Sequence, residues 1–278
     1  MSNTHAAEQH APQLNAIQIP AEGGFIVARI FSPGGQGPFP TVVLAHGFPG
    51  VQQNHDLAAH LQQSGYQAIV FHYRGLWGSK GEFSVAHALE DARSVLAYLR
   101  HPDTAAKYQF DLQRIALVGH SFGGFIALQT AAGDSGIAAA GSLSGANLGL
   151  MAQLLAHPES RAQLEAAFDE PASYVAGQYS SKMMGDEIVA HAAEWNLLDR
   201  ARSLSDRPVL LIGAALDAVT PVKFNHAPLV GAFHANGAAN VHSLVIESAD
   251  HGYEGKRQEL FEVVLKWLCE ALQLRDLS

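Results

Sequence analysis

Cysteine is nearly absent: one residue, Cys269, stands in a chain of 278. A single thiol excludes an internal disulfide and suits a reducing compartment. Its neighbours Trp267 and Leu268 lie in an apolar C-terminal stretch, so it reads as a packed structural thiol. Positive charge is scarce as well. Lys and Arg number 17 against 26 Asp and Glu, the net charge is −9 with His neutral, and no basic run occurs. A nucleic-acid partner is therefore not expected. No apolar run approaches the ~20 residues needed to cross a bilayer, so no membrane partner is expected either. The polar stretch Met1–Gln13 has no apolar core of the kind a secretory signal needs. A soluble, cytoplasmic protein is the expectation. No His/Asp/Glu/Cys cluster has metal-ligand spacing and no Gly-x-Gly-x-x-Gly fingerprint occurs, so neither a metal nor a dinucleotide cofactor is expected.

What the chain does contain is 48% hydrophobic residues, enough for a large core. Two β-type runs, Leu14–Ile19 and Phe25–Phe31, flank Pro20-Ala21-Glu22-Gly23-Gly24 and predict a hairpin. Thr41–Ala45 is continuously apolar, as in a strand buried on both faces. A helix from about Asn54 to Gln63, a strand Gln67–Phe71 and a helix from about Ser84 to Arg100 follow, with Pro102 expected to close the last. Its core face is Val85, Ala88, Leu89, Ala92, Val95, Leu96 and Leu99, at helical spacing. Further strands are expected at Ile115–Val118, Ile137–Leu143, Val209–Gly213 and Val241–Ile246, and a last helix from about Lys256 to Leu274. Strands alternating with helices predict an α/β fold with a mostly parallel sheet covered on both faces. Residues 1–13 read as a tail. Residues 147–205 hold no convincing strand, and a structureless loop of that length would be abnormal. They read as an inserted helical cap, with helices near Glu159–Phe168 and Asp186–Trp195.

The chemistry converges on one stretch. Ile115–Val118 runs into Gly119-His120-Ser121-Phe122-Gly123 and at once into the helix-forming Phe125–Leu128. This strand–turn–helix context is what a nucleophile elbow needs: small residues on either side of a serine held in strained backbone geometry. A serine hydroxyl needs a base, and the base an orienting carboxylate. In α/β sheets such groups gather beyond the carboxyl ends of the strands. The loop after Val209–Gly213 offers Asp217, and the loop after Val241–Ile246 offers His251. Asp250 is a rival acid, but a side chain next in sequence to His251 points away from it. The predicted catalytic set is Ser121, Asp217 and His251. The backbone N–H groups of Phe122 and Phe48 are the candidate oxyanion donors.

These motifs, His46-Gly47-Phe48-Pro49-Gly50, Gly119–Gly124, Asp217-x-x-x-Pro221 and Asp250-His251-Gly252, resemble the α/β-hydrolase superfamily in order and spacing. Tyr73–Ser79 is similar to the Arg-Gly loop of its esterase, dienelactone-hydrolase-like and prolyl-oligopeptidase-like branches. The resemblance covers roughly residues 20–274 apart from the cap. It implies a single α/β-hydrolase domain over 14–278, with 147–205 as a small helical cap. The sheet it implies has eight mostly parallel strands, the antiparallel one brought in by the first hairpin. A serine in the elbow departs from the cysteine of dienelactone hydrolases proper and the aspartate of haloalkane dehalogenases, so neither activity is expected. Arg74 and Trp77 read either as lining the pocket or binding a substrate carboxylate or, favoured of the two, as structural, the Arg holding neighbouring loops and the Trp packed beneath the elbow; His120 reads as structural and pointing away from the nucleophile. Leu150, Met151, Leu154, Leu155, Tyr174, Tyr179, Met183, Met184 and Trp195 are candidates to roof an apolar acyl pocket or to pack the cap.

The expected function is cofactor-independent hydrolysis of a small-molecule carboxylic ester or related acyl bond through an acyl-enzyme. The alternative within the class is a serine peptidase acting on small peptides or aminoacyl compounds. Glu165, Asp169, Glu170, Asp186 and Glu187 would be its candidate binders of a substrate amino group. From another class comes a small-ligand-binding protein without turnover, disfavoured by the presence of all three triad members.

Overall fold

Alternation along each central strand divides the interior into two cores. In β3 (Phe39–Ala45), Val43 and Ala45 face one layer while Val42 and Leu44 face the other. The computed structural model describes residues 11–273. Its eight strands form one sheet in the order β1-β2-β4-β3-β5-β6-β7-β8. β1 (Gln13–Ala21) and β2 (Gly24–Ser32) make the hairpin, and β2 runs antiparallel to both β1 and β4 (Gln67–Phe71). From β4 onward every pairing is parallel, through β3, β5 (Phe110–His120), β6 (Ala139–Leu143), β7 (Val209–Ala214) and β8 (Val241–Ile246). The expected α/β-hydrolase architecture is the one observed. The hairpin is tighter than the sequence suggests: Ala21 pairs with Gly24, leaving a two-residue turn in which Gly23 adopts φ +73°. Only a glycine reaches that left-handed region without strain.

One face of the sheet packs on α1 (His55–Gln63) through Leu57, Ala58 and Leu61, and on the long helix Arg257–Gln273 at the end of the chain through Leu260, Val264, Trp267 and Leu268. The other face takes α2 (Val85–Arg100), whose buried residues include all seven of the predicted core face. Ser84 caps α2 by accepting the His87 N–H at 3.0 Å. α2 ends at Arg100, as Pro102 leads one to expect. His101 turns extended (φ −62°, ψ 130°), and Pro102 then starts α3 (Pro102–Tyr108), since a proline at the first helical position loses no hydrogen bond. α4 (Phe122–Ala132) follows β5 and is buried almost all round. Cys269 is half-buried and accepts a hydrogen bond from the Tyr66 hydroxyl at 3.3 Å.

Between β6 and β7 stand α5 (Leu148–Leu155), α6 (Pro158–Asp169), a short 3-10 turn (Glu170–Tyr174), α7 (Ser181–Ala190) and α8 (Leu197–Leu204). The helix expected at Asp186–Trp195 lies earlier, because Ser180 caps it by accepting the Met183 N–H. Trp195 falls outside it, buried against Phe125 and stacked on His191 at 4.4 Å. The segment is pinched at its neck: the Asn147 side-chain oxygen accepts from Leu150 N–H at 3.4 Å and from Leu197 N–H at 3.2 Å. A Cβ at Gly149 would sit 2.5 Å from the Asn196 backbone, so glycine is what lets the two ends meet. α9 (His226–Ala235) and α10 (Arg257–Gln273) complete the outer layers. Residues 1–10 of the expected tail and Leu274 of the expected last helix lie outside the described residues.

Arg74 ties these layers together. Its Nε faces Asp91 Oδ1, its backbone N–H donates to Asp91 Oδ2 at 2.7 Å, and its other nitrogens reach Glu90 and the carbonyls of Glu22 and His87. Asp91 is completely buried. Arg74→Met is expected to strand that carboxylate and to cost about 3–5 kcal/mol in urea unfolding, with Arg74→Lys restoring less than half. A loss below 1 kcal/mol would show that the pair holds nothing together.

Candidate active site

β5 delivers Ser121 at the start of α4 with φ 57° and ψ −121°, a conformation foreign to most L-residues. Three backbone hydrogen bonds hold it there: Ser121 N–H donates to Leu143 O at 2.9 Å, and its carbonyl accepts from Gly124 N–H at 2.9 Å and Ala146 N–H at 3.0 Å. The turn closes only because side chains are missing. A Cβ on Gly119 would lie 1.8 Å from the Gly123 carbonyl oxygen, and one on Gly123 would lie 2.1 Å from the Ala45 carbonyl oxygen. Gly47 faces the serine itself, where a Cβ would come within 3.1 Å of Ser121 Cβ and 3.5 Å of its Oγ. This brings the 46–50 loop, and with it Phe48, beside Ser121. Neither the Phe48 nor the Phe122 N–H has a backbone acceptor among the described residues.

The other two residues come from neighbouring strand ends. Asp217 follows β7 and His251 follows β8, and His251 Nδ1 lies 2.8 Å from Asp217 Oδ2. Nδ1 carries the proton and donates, leaving Nε2 as the free base of the ring. Asp217 Oδ1 accepts from the N–H groups of Val219 (2.8 Å) and Thr220 (2.7 Å). Burial pushes the Asp217 pKa up, but the hydrogen bond and charge of His251, with the Thr220 N–H and hydroxyl, outweigh it and hold the carboxyl below the ordinary carboxylate range. Asp250, the rival acid, instead accepts the Glu254 N–H at 2.8 Å within its own loop. No protein hydrogen bond joins Ser121 Oγ to His251 among the described residues; such bonds tighten when substrate arrives.

Two supporting residues escape a reading of the sequence. Thr220 Oγ1 lies 2.8 Å from Asp217 Oδ2, 2.8 Å from Ser144 O and 3.3 Å from His251 Nδ1, which fixes both members of the pair. The signal was its place three residues after an aspartate, a common side-chain turn pattern. His120 Nε2 donates to the His251 carbonyl at 2.7 Å, with the two rings 4.8 Å apart. It therefore positions the backbone of His251, a role its place inside the elbow does not announce. Trp77 is not beneath the elbow: its indole N–H donates to Pro49 O at 2.6 Å and its ring lies 5.4 Å from Tyr174, so it braces the 46–50 loop from outside. Among the described residues no group of three or more His, Cys, Asp or Glu side chains is placed to hold a metal ion. No helix among them is long and apolar enough to cross a membrane.

A family model described as the alpha/beta hydrolase family matches residues 42–263. The chain belongs to that family. Among curated proteins it is similar to the quorum-quenching protein AidA of Acinetobacter baumannii, 32% identical over 118 residues, which is 40% of this chain and 37% of that one. An uncharacterized Escherichia coli protein, YfhR, is 31% identical over 114 residues, 39% of this chain and 38% of the other. The chain thus spans under two fifths of the length of these curated relatives. Solved structures align over nearly the whole chain. Est1E of Butyrivibrio proteoclasticus with bound ferulic acid has a TM-score of 0.71 at 18% identity, covering 93% of this chain and 100% of that one. A putative dienelactone hydrolase of Klebsiella pneumoniae has a TM-score of 0.65 at 21% identity, covering 93% and 99%. At those identities the likeness is one of fold.

Three histidines at the base of this alpha/beta hydrolase site are buried and held neutral. Burial pushes His46 down to about 4, opposed by its hydrogen bond to Gly47 O, and takes His72 down to about 3 with help from the nearby charges of His46, His55 and Arg29. Burial, then the charge of His251, brings His120 to about 4. In each case the folded pKa lies below the ordinary 6.5, so the unfolded chain takes up the proton first. The stability they contribute is complete above pH 6.5 and is lost as pH falls toward the folded values. Urea unfolding at pH 8 and pH 4.5 is expected to differ by several kcal/mol, on the order of 2–3 from each imidazole. Asp217, with its depressed carboxyl, adds a loss only below its ordinary value of 3.8. A flat profile down to pH 4.5 would mean that these rings reach water.

Proposed function

We propose that this chain is a cofactor-independent serine hydrolase that cleaves a carboxylic ester or related acyl bond. The observation that carries the reading is the ordered Asp217–His251 pair, at 2.8 Å, beyond the ends of β7 and β8, which lie on the far side of β6 from the strained Ser121 turn. In this mechanism His251 Nε2 removes the proton from Ser121 Oγ as the oxygen attacks the acyl carbonyl. The N–H groups of Phe48 and Phe122 hold the negative charge that develops on the carbonyl oxygen, aided by the N-terminal dipole of α4. Asp217 keeps Nδ1 protonated and stabilises the imidazolium. His251 then gives its proton to the leaving group, and the acyl group remains on Ser121. A water molecule deprotonated by His251 attacks the acyl-enzyme, the acid departs, and Ser121 regains its proton.

The ester reading is favoured over the peptidase one because three of the five candidate cap acids are already engaged. Glu165 and Asp186 pair with Arg161, Asp186 also with Lys182, and Glu187 accepts the N–H groups of Val85 and Ala86 at 2.9 Å. A site for a substrate ammonium would therefore fall to Asp169, which accepts the Ser181 N–H at 3.4 Å, or to Glu170.

The test is exposure to a fluorophosphonate followed by intact-mass measurement. One stoichiometric adduct is expected, absent in Ser121→Ala. With a nitrophenyl ester, Asp217→Asn is expected to lower kcat by about 10⁴-fold by leaving the wrong tautomer of His251. Esters are expected to turn over well ahead of aminoacyl anilides. A folded protein that takes no adduct, or a Ser121→Ala variant that keeps full turnover, overturns the reading in favour of a ligand-binding protein or another nucleophile.

A further inference from the structure

His251 sits in a tight turn that Tyr253 closes, its N–H donating to Asp250 O at 3.1 Å. Tyr253 is fully buried and has φ +58°, in the left-handed region that few non-glycine residues occupy. Such a conformation persists only where the surroundings over-determine it. Here the phenol hydroxyl does so: it accepts from Ser144 Oγ at 2.9 Å and donates to Ile212 O at 3.3 Å. Both hydroxyl protons are thereby placed, and burial keeps the phenol neutral by raising it above its ordinary value. Ser144 is the counterpart in the loop after β6. It too has a positive φ, 45°, and its N–H donates to the same Ile212 carbonyl at 2.8 Å. Two left-handed residues from separate loops are thus locked side chain to side chain over one carbonyl of β7.

Ser144 stands where the other two members of the triad are held. Leu143 O and Ala146 N–H, on either side of it, bond Ser121, and its own carbonyl lies 2.8 Å from Thr220 Oγ1, which also touches Asp217 Oδ2. Among the described residues, Ser144–Tyr253 is the one hydrogen bond that runs from this loop to the loop carrying His251. The Tyr253 ring also packs edge-on against His120, at 6.2 Å, and His120 in turn holds the His251 carbonyl. The hydrogen bonds of the His251 ring among the described residues go to Asp217 and Thr220 and none to Ser121 Oγ, so the separation of base and nucleophile is set by these loops.

We propose that Tyr253 is a positioning residue of the hydrolytic reaction: through Ser144 it fixes the His251 loop against the loop that holds Ser121, and so keeps Nε2 within reach of Oγ. The proposal rests on the serine-hydrolase reading and adds to it a residue that touches neither the substrate nor the reacting atoms.

The experiment compares Tyr253→Phe, which removes one oxygen and keeps the ring, with Ser144→Ala and with the double variant. On a 4-nitrophenyl ester each is expected to lower kcat by about 10- to 100-fold, the scale of a misplacement of up to about 1 Å, with KM changed less than about twofold. Labelling of Ser121 by the fluorophosphonate should slow by the same factor. The double variant should be no slower than either single one, because all three break one link. The far-downfield proton resonance of His251 Nδ1 should persist in all of them, since the pair with Asp217 is untouched, and vanish in Asp217→Asn. Tyr66→Phe is the control: it removes a tyrosine hydroxyl bonded to Cys269 Sγ just before β4, at the end of the strands away from the site, and should leave kcat and labelling unchanged. A Tyr253→Phe variant that labels and turns over at the unaltered rate overturns the positioning role while Ser121 still forms its adduct. Losses that multiply in the double variant, or a loss matched by Tyr66→Phe, overturn it too. Where Tyr253→Phe does not fold, Ser144→Ala decides by the same rates. Absence of an adduct on the unaltered chain removes the hydrolase reading and the positioning role with it.

Discussion

Three backbones meet at Gly123 with no room for a side chain, and the arrangement of everything around Ser121 depends on that meeting. The Gly123 position lies against the Ala45 carbonyl of β3, while Gly119 of β5 lies against the Gly123 carbonyl one turn later. Because α4 is drawn so close to the sheet, the chain must turn within a single residue, and that residue is Ser121 with its positive φ. The strain is sustained by hydrogen bonds to strand β6 and the loop after it, through Leu143 and Ala146. Strain of this kind persists only where the surroundings over-determine it. Here they do so from both flanks of β5.

The same contact organises the partners of the serine. β3 neighbours β5 on one side, so the loop after β3 runs past the turn and Gly47 can lie against Ser121. β6 neighbours it on the other, and beyond β6 come β7 and β8 with Asp217 and His251 at their ends. The strand order thus converts three distant stretches of sequence into one site. Thr220 and Ser144 join the β7 loop to the β6 loop, and His120 joins the elbow to the β8 loop. Each loop that carries a reactive group is therefore bonded to the element beside it. That is what a preorganised site requires.

Where the sequence was legible, the reason is that backbone demands leave residue signatures. Gly119 and Gly123 flank a serine because nothing larger fits. Val42–Ala45 is apolar at every position because both faces of β3 are covered, and α2 shows its core face at helical spacing because only one stripe is buried. That Asp217 and His251 would meet could be expected because each follows the end of one of two neighbouring parallel strands. What escaped the sequence were contacts without a signature of their own. His120 donating to a carbonyl, and Thr220 bridging an aspartate to another loop, use residue types found anywhere on a surface. Pro102 closed α2 as expected, but the short helix it begins went unread, because a proline ends one helix and begins another equally well. The α7 boundary was set by Ser180, a cap that looks like any loop serine until the Met183 N–H is seen to meet it.

The helices between β6 and β7 are accommodated without disturbing this frame. The two ends of that segment are brought together by Asn147, Gly149 and Asn196, so the sheet senses it as a short connection from β6 to α8. α6 packs only the partly buried Leu164 and Phe168 against the main core and is joined to α7 by the Arg161, Glu165 and Asp186 ion pairs, whereas α7 buries Met184 and Ile188 there. The inner helix is therefore the more firmly held of the two, since ion pairs near the surface contribute little in water. The frame that holds Ser121 is made of backbone and tolerates no change. By contrast α7 packs through side chains, Met184 and Ile188, which can be repacked without touching that frame.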